Sequence, residues 1–225
     1  MKVAVIVFPG SNCDHDLYYA YKHILKLDTE FVWHEEQDLR RFDLITLPGG
    51  FSYGDYLRSG AIASYSPVMK AVRSEAKRGK YVFGICNGFQ VLTEHRLLDG
   101  GLVMNNSQKF CCQNQYIKAV NKSSFVSRLS AGKSLLIPIA HKEGRFVADD
   151  DTIKRLSDND QILFQYSDLG GNVTDSANPN GSINSIAGIL SKEKNVAGMM
   201  PHPERAVEKI FQRVDGIEIL TSFLG

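Results

Sequence analysis

Hydrophobic positions along the first hundred residues follow two periods in alternation. Short apolar runs at 2–8, 30–33, 44–47 and 81–85 predict β-strands. Between them, 14–27 and 61–77 place apolar residues at helical spacing, the second through Ile62, Val68, Met69, Val72 and Ala76, with Gly79 ending it. A third helical pattern follows 81–85 and extends to about residue 98. Strands alternating with helices of this length predict βαβ units, hence an α/β fold with a mostly parallel central sheet and helices on both faces. Ligands of such sheets gather outside the carboxyl ends of the strands. Pro9-Gly10, Pro48-Gly49-Gly50 and Gly84-Ile85-Cys86 all fall there, so three loops should meet at one edge.

From Gly100 onward the pattern changes to short strands, at 116–120, 135–139, 162–166, 186–190 and 196–200. Polar turn segments separate them, notably Gly170-Gly171-Asn172 and the run from Ser176 to Gly181. No linker-like stretch divides the chain, so these strands should extend the same sheet in mixed or antiparallel fashion, within one domain spanning 1–225. A final helix is expected from about 204 to 223.

Composition narrows the classes. Hydrophobic residues make up 43% and charged residues 23%, enough for a sizeable core, and the net charge of +1 gives no general attraction to nucleic acid or anionic membrane. No apolar stretch approaches the roughly 20 residues of a membrane span. The apolar start of the chain is too short for a signal peptide and fits a first strand. The four cysteines, Cys13, Cys86, Cys111 and Cys112, form no CxxC pair, which argues against a disulfide framework or zinc ribbon and for reduced thiols in the cytoplasm. Histidines and cysteines show no metal-ligand spacing, and no metal site is expected. The Pro48–Asp55 stretch lacks the Gly-Lys-Ser/Thr ending of a phosphate loop, and no dinucleotide fingerprint occurs.

The chemistry concentrates at Gly84-Ile85-Cys86-Asn87-Gly88-Phe89-Gln90. A strand, a sharp turn with small residues on both sides of a reactive side chain, then a helix is the pattern of a nucleophile elbow. A thiol there meets the unpaired N–H groups and dipole of a helix N-terminus, which favour the thiolate. An ordinary turn with a buried cysteine is the competing account. A nucleophile needs a base, and the base an orienting group. Among six histidines, His202 stands in Met200-Pro201-His202-Pro203-Glu204, directly after a predicted strand, with Glu204 two residues on; extended backbone would point both to one side. His141, in His141-Lys142-Glu143-Gly144-Arg145, is the main rival, although its basic neighbours fit anion recognition or a protein contact better. His15 is weaker, at what should be a helix start. For oxyanion stabilisation, the Asn87 N–H is one donor, and Gly50 or Phe51 could offer the second.

Together the elbow, Pro48-Gly49-Gly50 and the His202-x-Glu204 pair resemble the class I glutamine amidotransferase family, whose fold is flavodoxin-like. The segments Val7–Asp14, Leu47–Arg58, the elbow and Met200–Arg205 resemble most the branch that serves purine biosynthesis, and they span nearly the whole chain. The resemblance implies a triad of Cys86, His202 and Glu204 acting on L-glutamine, with Gly50, Phe51, Asn87 and Gln90 at the oxyanion and substrate positions. It also implies delivery of ammonia to a large synthetase subunit, which uses ATP and magnesium to convert formylglycinamide ribonucleotide to its amidine, and a small accessory subunit in the same complex. No cofactor is expected in this chain itself. One departure is Lys142, where the family pattern leads one to expect glycine; the segment around it should meet the substrate pocket or the large subunit, so the change bears on docking and leaves the triad untouched. Two other accounts compete: a stand-alone cysteine hydrolase acting on γ-glutamyl substrates, fully active alone, and a non-catalytic module with a structural Cys86.

Overall fold

The strands that open and close the chain lie together in one sheet. The structure, a computed structural model, describes residues 1–120, 129, 132–211 and 214–222. Strands β1 (Lys2–Val7), β2 (Asp28–Trp33), β3 (Leu44–Leu47) and β4 (Tyr81–Ile85) come from the first half. The second half adds β5 (Gly101–Val103), β6 (Cys111–Ala119), β7 (Ser134–His141), β8 (Arg145–Val147), β9 (Ile162–Ser167), β10 (Ile186–Leu190) and β11 (Val196–Met199). Among the described residues, nine of them form a sheet in the order β2-β1-β3-β4-β11-β10-β9-β6-β7, while β5 and β8 make a small antiparallel pair.

The run β2-β1-β3-β4-β11 is parallel, and β10, β9, β6 and β7 continue it antiparallel. The predicted mixed extension of a parallel sheet is therefore what forms. Strands β3, β10 and β11 are buried at every position, which requires cover on both faces and explains why they read as continuous apolar runs. No helix of the described residues is long and apolar enough to cross a membrane.

Five α-helices accompany the sheet in the described residues: α1 (Asp14–Tyr19), α2 (Val68–Lys77), α3 (Asn87–Glu94), α4 (Asp150–Asp158) and α5 (Asp215–Thr221). Several differ from the sequence expectation, for local reasons. The helix expected over 61–77 starts only at Val68, because Pro67 drives Ser66 into extended backbone (φ −57°, ψ 145°). That over 14–27 becomes α1 followed by a π-helical turn, Ala20–Ile24, closed by Leu25 N–H donating to Ala20 O at 2.9 Å. The helix expected to reach 98 stops at Glu94, and Arg96 takes a left-handed φ of 56°.

At the C-terminal end, 204–223 is broken into single turns at Pro203–Arg205 and Lys209–Phe211 and then α5. A Cβ on Gly216 would stand 1.9 Å from Pro203 O, so α5 packs backbone to backbone against the first of these turns. Residues 212, 213 and 223 of that expected helix lie outside the described residues. Helix α4 has no counterpart in the apolar pattern, yet its N-cap is written in the sequence: Asp149 accepts from Thr152 N–H at 2.7 Å, and Asp150 and Asp151 occupy the first turn.

Strand β6 pairs with β7 along most of its length, from Cys111 to Lys118, but with β9 only from Tyr116 to Ala119. The part before Tyr116 is a two-stranded ribbon that leaves the sheet. It folds back over the carboxyl ends of the central strands, where Pro138 O accepts from His202 N–H at 2.8 Å.

Candidate active site

Four loops at the carboxyl ends of β1, β3, β4 and β11 converge, and the end of β7 closes over them. Residue Cys86, between β4 and α3, has φ 49° and ψ −105°, a backbone state that a non-glycine residue holds only under constraint. The constraint is packing. A Cβ on Gly84 would lie 2.7 Å from Gly88 O, and one on Gly88 only 2.0 Å from Leu47 O. Strand β4, helix α3 and β3 thus approach closer than any side chain permits, and the turn between Gly84 and Gly88 must be the sharp one expected of an elbow. The thiol of Cys86 donates to Ala140 O at 3.7 Å.

His202 follows β11 and is buried, as is Glu204. The His202 Nδ1 lies 2.6 Å from Glu204 Oε1. The expected backbone here is extended, but Pro203–Arg205 forms a 3₁₀ turn, so it is this turn and its proline that carry Glu204 back to the imidazole. A Cβ on Gly49 would sit 2.6 Å from His202 Cε1, so the glycine after β3 is what lets the ring in. Burial by itself disfavours the imidazolium, but Glu204 and the nearby Cys86 thiol outweigh it and raise the His202 pKa well above the usual imidazole range. The Nε2 of His202 is buried and makes no formal hydrogen bond.

A cavity of about 230 Å³ opens over Cys86. Gly50, Phe51, Cys86 and Gln90 all line it, as the sequence leads one to expect, and so do His141, Lys142 and Glu143 of the segment expected to meet the pocket or a partner; Asp55, Ser59, Phe110 and Ala140 line it as well, which the sequence does not single out as pocket residues. Asn87 lies buried just beneath. Its Oδ1 accepts from Ser52 N–H at 3.1 Å, and its Nδ2 donates to Asp55 Oδ1 at 3.2 Å and Gln90 Oε1 at 2.9 Å. The Gln90 Nε2 in turn donates to Glu143 O at 2.6 Å, which fixes the ribbon segment to the elbow helix. Gly50 has φ +131°, and a Cβ there would meet Asn12 N at 2.7 Å, so only glycine fits the turn that faces the thiol.

His141 is brought to this cavity by the ribbon and not to the role of a paired base. Its Nδ1 lies 3.2 Å from Asn105 Oδ1, an oxygen that also accepts from Gly144 N–H at 3.1 Å. Because Asn105 presents an acceptor, Nδ1 carries the proton and Nε2 is left as a lone-pair acceptor without a partner. Burial, and secondly the charge of His202, push the His141 pKa down to about 4. His15 stays exposed, its ring 5.0 Å from that of Phe31 and outside the cavity.

Cys13 is the residue that sequence reasoning passes over. Ligand-capable atoms of Cys13, His202 and Glu204 lie within 4.8 Å of one another, and all three residues are buried. Burial, reinforced by the Glu204 charge, raises the Cys13 pKa far above that of a free thiol, which keeps it protonated. Its sulfur accepts from Arg205 Nη2 at 3.1 Å, and it does not line the cavity. With His202 Nδ1 spent on Glu204 and a guanidinium on the sulfur, this trio is arranged as a hydrogen-bonded acid–base pair backed by a neutral thiol, an arrangement poorly suited to chelating a cation.

A strained cysteine on an elbow, a buried imidazole–carboxylate pair beside it and a cavity above make the arrangement that a cysteine-dependent amide hydrolase on a mixed α/β sheet requires. The chain belongs to the CobB/CobQ-like glutamine amidotransferase domain family, whose model matches residues 1–217. It is 50% identical over 226 residues to the phosphoribosylformylglycinamidine synthase subunit PurQ of Aquifex aeolicus, covering 100% of both chains. It is 47% identical to the protein of the same name from Methanosarcina barkeri, covering 100% of this chain and 97% of the other. Among solved structures, a chain of PurLQS from Thermotoga maritima superposes with a TM-score of 0.86 at 39% identity, covering 99% of this chain and 97% of that one. A glutamine amidotransferase from Thermotoga maritima shares the fold, with a TM-score of 0.56 at 15% identity and coverage of 99% and 90%.

Proposed function

We propose that this chain is the glutaminase subunit of phosphoribosylformylglycinamidine synthase, and that Cys86, His202 and Glu204 are its catalytic triad. The observation that carries the reading is the buried His202–Glu204 hydrogen bond set beside a thiol on a strained elbow. The thiolate of Cys86 attacks the side-chain amide carbon of glutamine. The oxyanion that forms is held by the Asn87 N–H, at the first turn of α3 where no intrahelical acceptor exists, together with the N–H of Gly50 or Phe51. His202 gives a proton to the departing nitrogen, so ammonia leaves and a γ-glutamyl thioester remains. His202 then takes a proton from water, the hydroxide attacks the thioester, and glutamate departs as the thiol is restored. The sum is glutamine plus water giving glutamate plus ammonia.

Glu204 holds His202 in one tautomer and stabilises the imidazolium formed in each half of the cycle. The ammonia passes to the large synthetase subunit, which uses ATP and magnesium to turn formylglycinamide ribonucleotide into formylglycinamidine ribonucleotide. A small accessory subunit completes the complex. Full-length coverage of the PurQ relatives, and of the matching chain in PurLQS, supports this assignment over that of a free-standing hydrolase. The whole chain, 1–225, acts as one amidotransferase domain in the cytoplasm, where its reduced thiols and purine precursors coexist.

The test is to quench the complex in acid during turnover of glutamine and map its peptides by mass. A γ-glutamyl adduct on the Cys86 peptide is expected. Ammonia release with no adduct on that peptide overturns the assignment of the nucleophile.

A further inference from the structure

Arg205 follows Glu204 directly in the chain, yet its guanidinium does not bind that carboxylate. Its Nε donates to Asp16 Oδ2 at 3.1 Å, and its Nη2 donates to the Cys13 sulfur at 3.1 Å. Among the described residues no ion pair joins Arg205 to Glu204, although Glu204 Oε2 is buried and has no hydrogen-bond partner. A neutral thiol is a weak acceptor, and a carboxylate takes a guanidinium far more strongly. Both residues line a cavity of about 400 Å³ behind the site, which gives the long side chain room to move. The weaker acceptor nonetheless holds the cation.

The Cys13 thiol is built into its position. Its backbone N–H donates to Gly49 O at 3.3 Å. Its S–H donates to Asn12 Oδ1 at 3.6 Å, which leaves a sulfur lone pair for Arg205. A Cβ on Gly49 would lie 3.3 Å from His202 Nδ1 and 3.4 Å from the Cys13 sulfur, so thiol and imidazole pack on the same glycine. Ligand-capable atoms of Cys13, His202 and Glu204 lie within 4.8 Å of one another. Cys13 therefore touches the guanidinium and also neighbours the His202–Glu204 pair. Burial keeps the thiol protonated, so it adds no charge of its own. The other titratable groups around the pair are Cys86 on the elbow, His141 at the end of β7 and Tyr21 after α1. None of these is a cation at neutral pH, which leaves Arg205 as the positive charge able to compete with His202 for Glu204.

We propose that Cys13 is a positioning residue, engaging Arg205 so that the guanidinium stays off Glu204 and the carboxylate serves His202 alone; the inference rests on the glutaminase reading of the site. A guanidinium on Glu204 Oε2 would divide the carboxylate between two cations and weaken its support of the imidazolium. His202 would then lose its proton at lower pH and be held less firmly beside Cys86.

The experiment titrates the His202 ring by NMR in the full-length chain carrying isotope-labelled histidine, and follows ammonia release in the complex. In Cys13→Ala the guanidinium gains access to Glu204. The His202 pKa should fall by about one pH unit or more and kcat by about tenfold, with KM little changed. Cys13→Ser keeps an acceptor at nearly the same place and should hold both near the unaltered values. Adding Arg205→Met to Cys13→Ala removes the competitor and should restore both, which a merely structural role for the thiol would not allow. A His202 pKa unchanged in Cys13→Ala, or lowered and not restored by Arg205→Met, overturns the inference. Arg205→Met alone decides the matter should Cys13→Ala fail to fold. The His202 pKa should then hold or rise, and a fall would show that the guanidinium supports Glu204, which overturns the inference. The ring titrations need no substrate, so they judge Cys13 separately from the glutaminase reading, which falls if the unaltered complex releases no ammonia from glutamine.

Discussion

His202 Nδ1 and Glu204 Oε1 lie 2.6 Å apart in a site where both residues are buried. A carboxylate so withdrawn from water is stable only while its partner carries or shares a proton. The pair therefore holds a proton next to Cys86, on the side where the thiolate forms.

Replacing Glu204 by Gln keeps the shape and removes the charge. We expect kcat/KM for glutamine hydrolysis to fall by about 10²–10⁴-fold, the usual range for a positioned acid–base group. The pKa of His202 should fall with it, since Glu204 heads the interactions that raise it. Steady-state kinetics with a pH profile checks both; an unchanged profile would show that Glu204 does not govern His202.

Cys86→Ser should abolish glutamine-dependent synthesis in the complex while added ammonia still supports it, because the synthetase chemistry does not need the thiol. In the unaltered protein, iodoacetamide should label Cys86 in preference to Cys13, and glutamine should protect it. Cys13 is buried, protonated and hydrogen-bonded by Arg205, so it should resist labelling until the chain unfolds. Peptide mapping after timed labelling decides the order.

Gly49→Ala adds a methyl group 2.6 Å from His202 Cε1 without touching the elbow. The ring must move, and kcat should drop while Cys86 stays in place. The overpacking should cost about 1–3 kcal/mol of stability by denaturant unfolding. Normal kcat in the folded variant would mean that the ring position is not critical.

Acid should destabilise the protein through His141. Its pKa is depressed from 6.5 to about 4, so the folded state favours the neutral ring. The unfolded chain then binds the extra proton, and stability that is full above pH 6.5 is lost as pH falls toward 4, by about 3 kcal/mol for this residue. His202 is shifted the other way, and its contribution is already complete below the unfolded value. His141→Asn should flatten the loss measured by urea unfolding across that window, leaving a smaller remnant from His95, which burial also depresses. An equal loss in both proteins would show that His141 is not the group responsible.

Much of the site is legible in the sequence because its chemistry is local. A strand, a cysteine between glycines and a helix dictate an elbow wherever they occur, and Gly84 and Gly88 prove to be fixed by contacts under 3 Å, as that turn demands. The pairing of His202 with Glu204 is also expected from their spacing, but on extended backbone, whereas the 3₁₀ turn at Pro203–Arg205 is what brings it about. The strand pattern also predicts the parallel centre and the mixed extension, since strands buried on both faces read as unbroken apolar runs.

What tertiary structure alone decided is the far wall of the cavity. Nothing in the apolar pattern of 111–115 marks it as strand: Cys112, Gln113 and Asn114 are exposed, and the backbone of the segment pairs as a strand with β7 and not with β9. Only when that ribbon leaves the sheet and folds over β11 do Ala140, His141 and Glu143 reach Cys86, from more than fifty residues away in sequence. Cys13 enters the neighbourhood of His202 in the same way, through the bridge between Ser11 and Gly50. The sequence by itself determined that Cys86 stands between Gly84 and Gly88 where a strand meets a helix, and that Glu204 lies two residues from His202, because these are relations between near neighbours. The strain at Cys86 also needs β3, whose Leu47 O abuts Gly88. Which acceptors face the substrate, and which thiol is left protonated, depend on burial and on charges from distant segments, and these exist only once the chain has packed.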